Sequence, residues 1–182
     1  MQGLKGRLDH FSELTGTVIA WLTLFMVLGT FIVVLLRYAF DLGWIWMQES
    51  ITWMHAAVFM LGAAYTLKRD EHVRVDIFYR QMSGHQAAWV NFLGTIFFLL
   101  PVSIFLILSS WSYVVTSWEI HEASREAGGL AYPFVSILKS LIPITAVLLI
   151  LQGLAGLIEN ALTIAGKNVP YIESQSRGDE GI

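Results

Sequence analysis

The chain has 182 residues, 55% of them hydrophobic and 14% charged, with 11 Lys and Arg against 14 Asp and Glu and a net charge of −3. Soluble domains carry about 25% charged residues, and the mean hydropathy here is +0.62, which together exclude a soluble globular enzyme, a nucleic-acid binder and a disordered chain. The absence of cysteine excludes disulfides, a Cys-based metal site and a thiolate nucleophile.

The remaining charges separate four apolar stretches, and a helix needs about 20 apolar residues to cross a hydrocarbon core of ~30 Å. The sequence therefore predicts an all-α membrane protein with four transmembrane helices at about 15–37, 46–68, 86–118 and 133–159. The first stretch lies between Glu13 and Arg37. It is too long for a cleaved signal peptide and lacks a small-x-small cleavage pattern. The second contains Glu49 and His55. The third runs for 33 positions without a charge; at ~1.5 Å per residue this is about 50 Å of helix. It reads as one long tilted helix bent at Pro101, whose ring removes a backbone hydrogen bond. The fourth carries Lys139 near its start and a kink at Pro143.

Two further segments are amphipathic, near 4–12 and 74–83. Leu4, Leu8 and Phe11 recur at helical spacing, as do Val75, Phe78, Tyr79 and Met82. Both read as short helices in a headgroup plane; a short strand over 73–78 is the alternative, since Val73, Val75 and Ile77 alternate. The chain is thus a single membrane domain over 1–182. An amphipathic segment at 1–14 precedes a four-helix bundle at 15–160, and a polar, disordered tail occupies 171–182.

Orientation follows from the cations. Lys5, Arg7, Lys68, Arg69, Arg74, Arg80, Lys167 and Arg177 fall on one side, against Arg37, Arg125 and Lys139 on the other. The asymmetry places both termini in the cytoplasm, and Tyr38, Trp44, Trp46, Trp118 and Tyr132 gather near the outer ends as interfacial anchors.

Ionisable groups inside a membrane are costly and mark places of interest. Glu49 and Lys139 lie at similar outer depth, near Arg37, and predict a buried ion pair fixing the helices; with His55 they form a candidate structural polar cluster. A proton or ion path is the rival reading, but the inner half-spans carry no acid, base or His to continue it. His55 also raises a haem-bearing anchor of a respiratory enzyme, which needs a second His at like depth. His121 is the other outer-side His and falls in a loop, so a hydrogen-bonded packing His, or one facing a partner subunit, is preferred. Small residues mark close helix approach: Ala56, Ala57, Gly62, Ala63 and Ala64 on the second span, Gly153 and Gly156 on the fourth. In the outer loop, Glu119, Glu122 and Glu126 share a face if the third helix continues outward. This is either a solvated helix end followed by a Gly-Gly stop or, with Arg125, a docking patch for a periplasmic partner. No nucleotide loop, nucleophile elbow or zinc signature occurs.

Several short motifs then align with one family. Arg37-Tyr38 closes the first span, Trp46-Met-Gln-Glu49 opens the second, and Gly62-Ala-Ala follows. Asp70-Glu-His72-Val-Arg74-Val-Asp76 marks the inner loop, and Ser124-Arg-Glu126-Ala-Gly128-Gly129-Leu and Lys139-Ser-Leu-Ile-Pro143 complete the set. In this order the chain resembles, over about 15–160, the small DctQ-like membrane subunit of tripartite ATP-independent periplasmic (TRAP) transporters. The resemblance implies a non-catalytic subunit of the bacterial inner membrane, without cofactor or metal. Its implied partners are a large DctM-like membrane subunit, a periplasmic substrate-binding protein and membrane lipids. It implies a stationary scaffold for Na⁺-coupled import of an organic acid by the large subunit. Arg69, Arg74, Asp76 and Arg80 are the candidate cytoplasmic interface.

Overall fold

A computed structural model describes residues 2–68, 79 and 82–166. Four helices follow in chain order: α1 (Gln2–Phe40), α2 (Ile45–Lys68), α3 (Gly84–Glu119) and α4 (Phe134–Ile164). No strand occurs among the described residues. All four are long and apolar enough to cross a membrane, through Ile19–Phe40, Ile45–Leu67, Gly84–Glu119 and Phe134–Ile164. The four expected spans are therefore present.

The N-terminal segment differs from its expected form. Helix α1 runs unbroken from Gln2, so the amphipathic stretch near 4–12 is the first part of the spanning helix and not a separate element. Gly3, Gly6, Gly16 and Gly29 are the weakest helix formers along it, and at about 1 kcal/mol each they do not interrupt a helix that contains no proline before Phe40. Of the segment near 74–83, only Tyr79, Met82 and Ser83 fall within the described residues; the tail 171–182 falls outside them. Ser83 opens α3 with a reciprocal capping box. The Gln86 N–H donates to Ser83 Oγ at 3.3 Å, and the Ser83 N–H donates to Gln86 Oε1 at 3.0 Å, satisfying donors that the first turn leaves free.

The helices stand in an open row. Helix α2 packs α1 on one side and α4 on the other, while α4 packs α3. Helices α1 and α3 occupy the two ends, with only a slight contact between α1 and α4. Apolar surface gains nothing by leaving lipid for another apolar surface, and only close, specific contact holds membrane helices together. The described side chains of α1 accordingly expose Phe25, Val27 and Phe31, and those of α3 expose Phe97, Phe98, Phe105 and Leu108.

The buried seam consists mainly of small residues, with Leu141 of α4 as the large exception. Ala57 and Ala64 are buried on α2, Ser103, Ser110 and Ser117 on α3, and Ser136, Ala146, Gly153 and Ala155 on α4. The seven-residue repeats on α2 and α3 keep one face on a neighbour when helices cross at about 20°. Of the small residues singled out in sequence, Ala57, Ala64 and Gly153 enter the seam, whereas a Cβ on Gly62 or Gly156 would meet open space. Ser117 Oγ and Ser136 Oγ lie 3.0 Å apart, and Ser136 Oγ also donates to the Ser117 carbonyl at 3.0 Å. The serine ladder of α3 was not anticipated from sequence; its signal was the spacing of 103, 110 and 117.

The irregularity expected at Pro101 sits one turn earlier. Thr95–Leu99 forms a π-helical turn, and the Leu100 N–H reaches back to the Thr95 carbonyl. Proline provides no N–H for its own turn, and a widened preceding turn accommodates that break within one continuous span. Leu99 of this turn fits into the space left by Gly153: a Cβ there would lie 2.6 Å from Leu99 Cδ2. Helix α4 continues through Pro143. Gly153→Leu is expected to lower stability by about 1–3 kcal/mol through overpacking, read as a drop in melting temperature in mild detergent. Gly156→Leu serves as the control and is expected to leave that temperature nearly unchanged.

Candidate functional site

The polar groups collect at the end of the row that carries the 41–44 and 120–133 connections. Four residues join α1 to α2, and so short a link forces antiparallel neighbours. Asp41 takes a left-handed conformation with φ 53°, and the Leu42 N–H closes the turn on the Leu36 carbonyl at 3.0 Å. At the end of α3, His121 adopts φ 50°. The His121 N–H donates to Trp118 O at 3.3 Å and the Glu122 N–H to Ser117 O at 3.0 Å. These are the two bonds of a Schellman stop. The third helix therefore ends at Glu119 and does not carry Glu122 and Glu126 outward on a shared face. Gly128-Gly129 lies nine residues beyond that end and serves a different purpose.

The 120–133 loop folds back over the start of α2. The Trp46 N–H, a donor that a helix N-terminus leaves without an internal partner, donates to the Gly128 carbonyl at 3.1 Å. Glu49, one turn into α2, holds the loop through its carboxylate. Its Oε2 accepts the Leu130 N–H at 2.6 Å and its Oε1 accepts the Ser124 hydroxyl. The Ser124 N–H in turn donates to Leu130 O at 2.8 Å. Glycine is required twice here. Gly128 has φ 80°, and a Cβ on Gly129 would collide with the Ser124 hydroxyl and stand 2.7 Å from Glu49 Oε2.

Lys139 has a different acid. Its Nζ donates to Glu122 Oε2 at 2.5 Å, with side-chain exposures of 14% and 17%, and it lies 3.8 Å from the centre of the Tyr113 ring, a favourable cation–π distance. The expected Glu49–Lys139 pair is thus replaced by two fastenings, Glu49 to the loop backbone and Lys139 to a loop acid. The reason is that the loop, ending its helix early, brings closer partners to both charges. Arg37 lies exposed in the last turn of α1. His55 is exposed on α2, and the His121 ring lies 4.6 Å from that of Tyr132. Trp53 Nε1 donates to Phe134 O at 3.0 Å and Trp118 Nε1 to Ser140 Oγ at 2.9 Å, tying α2 and α3 to the start of α4.

Between loop and helices lies an open cleft of about 440 Å³, bordered by Tyr113, Leu138 and Lys139 below and Glu122, Ser124 and Arg125 above. Glu119, Arg125 and Glu126 face solvent. Among the described residues no group of three or more His, Cys, Asp or Glu could hold a metal ion. Arg69, Arg74, Asp76 and Arg80 lie outside the described residues.

The Glu122 carboxyl titrates below its ordinary value of 4.5, chiefly because Lys139 donates to it. A lowered folded value means that this bond stabilises the loop fully above the ordinary carboxylate range and is lost as pH falls through the lowered value. Protease resistance of 120–133 is therefore expected to stay flat on the alkaline side of pH 4.5 and to fall below it, with Glu122→Gln weakening the loop at neutral pH and flattening the profile. Glu49→Ala leaves the Leu130 N–H and Ser124 hydroxyl without their acceptor, at about 1–3 kcal/mol, and is expected to speed hydrogen exchange across the same loop. In double-mutant cycles on melting temperature, Glu122→Gln with Lys139→Met is expected to couple more strongly than Glu49→Gln with Lys139→Met.

Comparison with known proteins agrees with this architecture. The family described as "Tripartite ATP-independent periplasmic transporters, DctQ component" matches residues 26–163. One similar protein is the C4-dicarboxylate TRAP transporter small permease protein DctQ of Vibrio cholerae serotype O1. It is 31% identical over 88 residues, which cover 48% of this chain and 38% of that protein's length. The match to the family takes in α1 from Met26 onward, α2, α3 and all but the last residue of α4, together with the loop that Glu49 and Lys139 hold. The chain therefore belongs to the DctQ component family of tripartite ATP-independent periplasmic transporters.

Proposed function

We propose that this chain is the stationary scaffold of a TRAP-type secondary transporter and takes no part in the transport chemistry itself. The observation that carries this reading is what its half-buried charges do. Glu49 and the Glu122–Lys139 pair are engaged in fastening one loop to α2 and α4. A transporting core instead arranges broken helices and free backbone groups around a midplane ion site. A row of helices with open apolar faces suits a stator, since another membrane protein can bind along it while its own packing stays fixed.

In this reading the chain is a multi-pass protein of the bacterial inner membrane, with both termini cytoplasmic as the Lys and Arg distribution favours. Its partner in the membrane is a large DctM-like subunit that carries an organic acid across with Na⁺. A periplasmic binding protein delivers the substrate, and the exposed Glu119 at the end of α3 meets it together with Arg125 and Glu126 of the 120–133 loop. The segment with Arg69, Arg74, Asp76 and Arg80 forms the cytoplasmic contact, and lipid covers the remaining apolar faces.

Reconstitution tests the proposal. Na⁺-driven uptake of an organic acid into vesicles is expected only when this chain, the large subunit and the binding protein are all present. Uptake by this chain alone, or full uptake without it, would sink the scaffold role. Charge reversal by Glu126→Lys is expected to raise the binding-protein concentration needed for half-maximal uptake while leaving the melting temperature unchanged.

A further inference from the structure

His55 is an ionisable side chain in the middle of α2 that the fastening of the loop leaves unused. Ten residues beyond Ile45, it stands at about 15 Å along the helix, the middle of a ~30 Å hydrocarbon layer. It is exposed, and its ring meets no hydrogen-bond partner among the described residues. Even a neutral imidazole carries one donor and one acceptor, and leaving both in hydrocarbon is the situation that intramembrane polar residues avoid by facing protein or water.

His55 does not stand alone. Gln48, Thr52, His55 and Phe59 are all exposed, Phe59 by 75%. With 3.6 residues per turn they fall within about 60° of one helical face, opposite the buried Ala57 and Ala64. Thr52 satisfies its own hydroxyl on the Gln48 carbonyl at 3.3 Å, but the Gln48 amide, like the His55 ring, has no partner among the described residues. Gly62 continues the stripe, with open space where its Cβ would be. At mid-span the exposed faces of α1 and α3 are mainly apolar: Phe25, Phe31, Phe98, Phe105 and Leu108 suit lipid as they are, and Thr30 bonds within its own helix at 2.8 Å.

We infer that the Gln48–Thr52–His55–Phe59 face of α2 is covered, in the assembled transporter, by a transmembrane helix of the large subunit that gives His55 a hydrogen-bond partner at the bilayer midplane. This rests on the proposed two-part membrane complex and assigns a face to it. A non-identical helix fits the stripe better than a second copy of this chain. A parallel two-fold pair would set Phe59 against Phe59 and Gln48 against Gln48, leaving the opening at Gly62 unfilled.

The chain contains no cysteine, so single cysteines can be introduced without background. The test co-expresses the large subunit with Gln48→Cys, His55→Cys or Phe59→Cys, with Phe31→Cys and Leu108→Cys as controls on the other faces, and treats membranes with a photoactivated maleimide cross-linker. Adducts to the large subunit are expected from the α2 positions and not from the controls. In parallel, His55→Leu is expected to reduce retention of the large subunit in mild detergent by about three- to fifteen-fold, with the melting temperature of the isolated chain unchanged or raised. Adducts to the large subunit from the control positions alone would overturn the face while leaving the subunit reading intact. Adducts of this chain to itself from Gln48→Cys, His55→Cys or Phe59→Cys would assign the face to a second copy and overturn the inference. Failure of the unsubstituted chain to retain the large subunit would overturn the subunit reading itself.

Discussion

In hydrocarbon a helix cannot gain by hiding apolar surface from its solvent, so this fold depends on how closely α4 can approach α2 and α3. The approach is made by residues that occupy little space: Ser136, Ala146, Gly153 and Ala155 on α4, facing neighbours that bury Ala57 and Ala64 or Ser103, Ser110 and Ser117. Small side chains bring backbones together, increase dispersion contact and allow serine hydroxyls to bond across the seam, as Ser117 and Ser136 do. Helix α4 is central because it supplies this surface on two sides, and α1 is peripheral because it presents mainly large apolar side chains.

The same constraint governs the charges. A carboxylate or ammonium near the edge of a membrane needs partners, and the 120–133 loop supplies them. Glu49 receives a backbone N–H and a hydroxyl from it; Lys139 receives its acid. In return the loop gains a fixed position over α2 and α4, with Gly128 and Gly129 allowing the backbone to come close. The charges that remain exposed on it, Arg125 and Glu126, sit on a held platform. Under the proposed scaffold role, such a platform favours contact with a soluble partner, because little conformational entropy is lost when the partner arrives.

Much of the fold was legible because its main signal is one-dimensional. Apolar length against bilayer thickness located all four spans, and the small residues at Ala57, Ala64 and Gly153 pointed to seams that exist. The partners of the polar residues were not legible. Glu49 and Lys139 share a depth, and depth alone suggested that they meet. Their actual partners depend on where α3 stops, which a left-handed residue at His121 decides, and histidine gives no strong helix-stop signal. The position of the π turn was hidden likewise: Pro101 announces a disturbance, but where it is absorbed depends on Gly153 in another helix, more than 50 residues away.

The sequence by itself determined that the chain lies in a membrane, how many times it can cross, and the family to which its motif order belongs, since these follow from composition and spacing along the chain. Only the tertiary structure decided that the helices stand in an open row, that Glu49 secures a loop and Lys139 an acid within it, and that His55 faces outward without a partner among the described residues. Each of these is a relation between segments distant in sequence. Such relations are fixed by which side chains are small enough, or polar enough, to meet when helices pack, and hydropathy along the chain carries no record of that.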